Sequence, residues 1–160
     1  MAHTFAMSVL AQVRIHVPAS PDTVWQSLVT DAGLVRLFGA DELVCDWRPA
    51  APIVMRGYVK ARRFEDRGQI IAIQPGQRLR FGHWSQLSGL PNSPENYTLI
   101  TLNLSAGESD EGADGTWLSL SKSLWLGKPA EVEPDTTTEL TWIAVLTQLA
   151  HDLTPAPTSA

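Results

Sequence analysis

The sequence predicts an α+β domain in which a curved antiparallel sheet of about seven strands wraps a long C-terminal helix. Two observations carry this. Runs with period-two alternation cluster between residues 43 and 124, and a stripe with helical period follows them near the C-terminus. Strands gathered together with helices set apart from them indicate α+β, not a parallel α/β sheet. At 160 residues, 44% of them apolar and 18% charged, the chain suits one domain with its own core.

The elements follow in order. Val9–Val17 alternates, with Val9, Ala11, Val13, Ile15 and Val17 on one face and Gln12, Arg14 and His16 on the other. Ser20, Pro21 and Asp22 then supply an N-cap, a first-turn proline and a first-turn acid, so a short helix starts here. Asp31 caps a second helix through Leu34, Val35, Leu37 and Phe38, and Gly39 stops it. Leu43–Trp47 is a short strand, broken by the two prolines at 49 and 52. Ile53–Lys60 sets Val54, Arg56 and Tyr58 against Met55, Gly57 and Val59. Glu65 to Gly68 reads as a turn before the strand Gln69–Ile73. Pro75-Gly76 turns the chain into Arg78–Ser85, with Leu79, Phe81 and His83 on one face. A polar loop runs from Ser88 to Glu95. The strands Tyr97–Leu104 and Trp117–Leu124 follow, joined by a segment at 106–115 with four acids and three glycines that reads as mobile and functionally silent.

The clearest helix comes last. Thr136 with Glu139 forms a capping box, and Trp142, Leu146, Leu149 and Leu153 repeat at helical spacing, widened by Ile143 and Ala150. The domain is expected at 8–153, with residues 1–7 a flexible start and 154–160 a disordered tail. Burying the apolar face of the sheet on this helix leaves a natural place for a cavity.

Charge narrows the function classes. The net charge is −5, which argues against a nucleic-acid partner. Its distribution is uneven: residues 1–80 carry ten basic and seven acidic groups, residues 81–160 two basic and ten acidic. The longest apolar runs are far short of the ~20 residues of a membrane span. The N-terminus lacks the features of a secretory signal, so a cytoplasmic location is expected. One cysteine, Cys45, excludes a disulfide framework and reads as a small buried residue. His3, His16, His83 and His151 lie in separate elements, and no metal-ligand spacing or phosphate-binding glycine loop occurs, so neither metal nor cofactor is expected.

The element order β-α-α-(β)6-α is similar to that of the helix-grip fold shared by START-like lipid-transfer domains, birch-pollen allergens and polyketide cyclases. Pro18-Ala-Ser-Pro21 with Val24-Trp25 resembles the opening of the heat-shock-protein-90 ATPase activator family, in its bacterial stand-alone branch. Phe64 to Gly68 with Gln74-Pro75 and Arg78-Leu79, the stretch from Gly82 to Tyr97, and Gly115 to Leu120 extend the likeness over roughly residues 8–153. The chain departs from the family pattern at Asn92, Thr98 and Thr141, where Asp, His and Asn are common. In that family chaperone activation uses an additional N-terminal domain, for which this length leaves no room. The resemblance therefore implies a fold and a cavity, not a reaction.

Three functions are weighed. The favoured one is non-enzymatic binding of a small apolar molecule, as carrier or sensor, in a cavity between the C-terminal helix and the sheet. Its expected walls are Val54, Arg56, Tyr58, Phe81, His83, Tyr97, Leu99, Trp142, Leu146 and Leu149. The second is a cyclase or hydratase-like enzyme with His83 or Tyr97 as acid or base. The third is a protein-interaction domain, a chaperone modulator among others, that acts through its sheet surface or through Arg62 and Arg63 as a monomer or homodimer. Glu95 is expected to brace the polar loop.

Overall fold

The period-two pattern carries through seven strands. The computed structural model describes residues 9–124 and 134–154. The order is β1 (Val9–Val17), α1 (Pro21–Leu28), α2 (Asp31–Phe38), β2 (Glu42–Cys45), β3 (Pro52–Val59), β4 (Arg62–Gln74), β5 (Arg78–Trp84), β6 (Thr98–Ala106), β7 (Thr116–Leu124) and α3 (Thr136–Asp152), with two short 3-10 turns between β5 and β6. The strands form one antiparallel sheet in the order β1-β7-β6-β5-β4-β3-β2. Strands β2 to β7 are neighbours in sequence, and β1 closes on β7. The expected flexible start (1–7) and most of the disordered tail (154–160) lie outside the described residues.

One face of every strand is apolar and inward. It comprises Ala11, Val13 and Val17 on β1, Leu43 on β2, Ile53 and Met55 on β3, Phe64 and Ile70 on β4, Leu79 and Phe81 on β5, Ile100, Leu102 and Leu104 on β6, and Leu118 and Leu120 on β7. Trp142, Leu146 and Leu149 of α3 are buried in the same core. Helix α1 is capped by the Ser20 hydroxyl, which accepts from the Thr23 N–H, and α2 ends at Gly39 in the left-handed region.

Four expectations change. Glu65 to Gly68 is not a turn: β4 runs straight through it, and the hairpin tip is Lys60–Ala61, both with positive φ. Acidic residues are poor strand formers alone, but here alternate side chains find partners on opposite faces. Glu65 pairs outward with Arg56 and Arg67, and Asp66 is bonded inward. The cap of α3 is Asp135, one residue before the expected Thr136; its carboxylate accepts from the Thr138 N–H, while Glu139 accepts from the Gln12 N–H of β1. The cap of α2 is likewise Thr30, not Asp31. Ile143 lies on the solvent side of α3, outside the buried stripe.

The acidic segment at 106–115 carries hydrogen bonds of its own. Gly107 N–H donates to Gly115 O, Ser109 N–H to Ala113 O, and the Trp117 indole to Glu108 O at 2.9 Å.

Truncating Leu146, 0% exposed, to Ala is expected to cost about 2–5 kcal/mol in urea unfolding. Ile143→Ala, at a side chain 49% exposed, should stay within about 0.5 kcal/mol of wild type.

Candidate functional site

The depth of the helix–sheet interface is filled. Phe81, Trp142, Leu146 and Leu149 are all buried, and the Phe38 ring packs edge-on against Phe81 and Trp142 at 5.8 and 6.4 Å. Open space begins at the end of β5, where His83 follows Phe81 on the inward face. Two hollows of about 390 and 290 Å³ lie there and share His83, Ser85 and Lys122. Leu90, Asn96, Tyr97, Thr98 and Leu124 line the first. Phe38, Val59, Phe64, Leu87, Thr141 and Trp142 line the second.

The pleat places the expected wall residues on different sides. Phe81, His83, Trp142, Leu146 and Leu149 are inward. Val54, Arg56 and Tyr58 are not. On β3 the inward residues are Ile53, Met55 and Gly57, so a one-residue parity choice moves the other three to the outer face. There Arg56 pairs with Glu65 at 2.8 Å and Glu42 at 3.4 Å, and Tyr58 is exposed. Arg56, then Arg67, holds the Glu65 carboxyl below its usual range. Leu99 is buried but pairs with Gly82, on the face opposite Phe81. Tyr97 sits where the loop joins β6 and lines both the first hollow and a third of about 330 Å³ on the outer face. Its hydroxyl donates to Asn92 Oδ1 at 2.7 Å.

The residue the sequence reading missed is Asp66. It is 6% exposed, and its Oδ2 lies 2.9 Å from His83 Nε2. A carboxylate only accepts, so the ring Nε2–H is the donor. Asp66 Oδ1 accepts from the Gln86 N–H at 3.0 Å, which ties the start of the polar loop to β4. The Phe38 ring covers His83 at 5.0 Å. The parity of Phe64 and Asp66 was the available signal, obscured by reading the segment as a turn.

Lys122 was missed too, although it shares the inward parity of Leu118 and Leu120. Its ammonium bonds Asp135 Oδ2 at 2.9 Å, so the cap of α3 is also a counter-ion. Burial pushes the Asp135 carboxyl up. Bonds from the Thr138 hydroxyl, Lys122 and the Thr138 N–H together outweigh this and hold it below its ordinary value. Cys45, away from the cleft, is raised mainly by burial. Among the described residues no group of three or more potential metal ligands occurs, and no helix is long and apolar enough to cross a membrane.

The profile of the family described as activator of Hsp90 ATPase homolog 1-like protein matches residues 18–153. The chain belongs to this family. ChR145 from Cytophaga hutchinsonii, a solution structure, is similar with a TM-score of 0.70 at 28% identity, over 92% of this chain and 94% of that one. CV1439 from Chromobacterium violaceum gives 0.60 at 20% identity, over 91% and 98%. DynU16, from the dynemicin biosynthetic locus, gives 0.61 at 20% identity, over 89% of this chain and 46% of that one. The last two speak for the fold alone, which is the helix-grip fold. No curated protein matches the chain significantly.

The lowered Asp135 carboxyl gives a signed pH dependence. Its charge stabilises the fold fully above the unfolded value of 3.8, and the contribution is lost as pH falls through the lower folded value. Asp135→Ala is expected to cost about 1 kcal/mol near neutrality through the lost cap. Paired denaturation curves should show that difference shrinking as the pH is taken below the carboxylate range.

Proposed function

We propose that the protein binds a small, largely apolar molecule in the cleft at the end of β5, as a carrier or sensor. The observation that supports this is the pair of hollows meeting at His83, Ser85 and Lys122. Their volumes fall near the lower end of the ~300–1,000 Å³ typical of ligand sites. Leu90 and Leu124 on one side, and Phe38, Phe64, Val59 and Leu87 on the other, offer apolar walls around those few polar groups. The site is shallower than the cavity expected from sequence, because Phe81, Leu146 and Leu149 occupy the depth. A cytoplasmic location suits the single thiol.

One observation favours a second reading, catalysis of the cyclase or hydratase kind. A carboxylate that orients an imidazole beside a cleft is the arrangement of a general base. Tyr97 fits that role less well, since its hydroxyl is engaged by Asn92.

Titration with the neutral fluorophore N-phenyl-1-naphthylamine, followed by displacement with lipids, aromatics and sterols, tests the binding reading. Saturable one-site uptake is expected. Thr141→Trp, at an exposed lining position of α3, should weaken it by roughly tenfold or more with an unchanged thermal transition. Uptake that is absent, or indifferent to Thr141→Trp, would refute it.

A further inference from the structure

The polar groups shared by the two hollows have a definite donor and acceptor pattern. Asp66 takes the Nε2–H of His83, and in the ring's uncharged form the other nitrogen, Nδ1, is a hydrogen-bond acceptor. Nδ1 has no partner among the described residues. It is not a buried orphan either: among those residues the buried side-chain nitrogen left unpaired is Arg80 Nε, elsewhere on the sheet. Nδ1 is therefore reachable, and His83 lines both hollows.

Lys122, which lines the same two hollows, is a donor only. Among the described residues one N–H of its ammonium is engaged, by Asp135, which leaves donors for a ligand. Among the described residues the charge count opposes an anionic ligand, because Asp66 and Asp135 face one ammonium.

We infer that the cleft selects an apolar ligand carrying a neutral hydroxyl, which donates to His83 Nδ1 and accepts from Lys122, over the corresponding ether or carboxylate. This rests on the binding reading above and deepens it. Asp66, which also borders the second hollow, is then a positioning residue: both its oxygens are engaged, by His83 and Gln86, and it acts by setting the tautomer. Asp66→Asn preserves shape and can still accept from Gln86, but its amide donates to Nε2. That moves the ring proton to Nδ1 and turns the acceptor into a donor.

Three probes of one ring system separate the cases: 2-naphthol, 2-methoxynaphthalene and 2-naphthoate, titrated at one neutral pH. The wild type is expected to bind 2-naphthol about tenfold tighter than the ether, the worth of one well-made hydrogen bond, and the carboxylate least well. In Asp66→Asn, with folding checked by near-ultraviolet circular dichroism, the naphthol-to-ether ratio should fall towards one while the ether still binds. A merely structural role for Asp66 would weaken all three probes alike and leave the ratio unchanged. The inference is overturned by a wild-type ratio near one, by naphthoate binding tightest, or by a ratio unaffected in a folded Asp66→Asn. If none of the probes binds the wild type, the cleft fails as a binding site and the inference fails with it.

Discussion

A buried carboxylate constrains this molecule. Asp66 stands on the inward face of a sheet whose other inward residues are nearly all apolar, and a polar group there must have partners. It has two. His83 lies on the adjacent strand, and the Gln86 N–H begins the polar loop. These bonds stitch β4 to β5 and to the first 3-10 turn. They tie the start of the loop to the inward face of β4, and the cleft lies beside it.

The same end of the sheet is controlled from the other side by Asp135. One carboxylate caps α3 through Thr138 and neutralises Lys122. The start of the helix is thereby fixed to β7, and Asp135 N–H donates to Leu10 O of β1. Two acid-centred clusters thus face each other across an opening, with the aromatic contact of Phe38, Phe81 and Trp142 closing its floor. Family membership accounts for the scaffold. The chemistry at the opening belongs to these particular side chains, since one fold serves many functions.

Much of this was legible from the residues. The seven strands, the two short helices and the long final helix follow from alternation, caps and a helical stripe, all local signals. His83 was also legible, through its parity with Leu79 and Phe81. Asp66 was hidden by a heuristic that is sound in isolation: Glu-Asp-Arg-Gly looks like a turn because such residues rarely sit mid-strand. Here opposite-face partners reverse that preference. Val54, Arg56 and Tyr58 show the complementary error. Alternation identified both faces of β3 correctly, yet the aromatic and the small apolar residue on one side made it look like a wall.

By itself, then, the sequence determined the element types, their order and the two-faced pattern of each strand, because backbone periodicity and capping act over a few residues. The tertiary structure alone decided which face of β3 turns inward, which carboxylates are buried and paired, and how far the core fills before open space begins. Those outcomes depend on contacts between residues such as Asp66 and His83, or Lys122 and Asp135, that are distant in sequence and brought together only when the sheet closes on its helix.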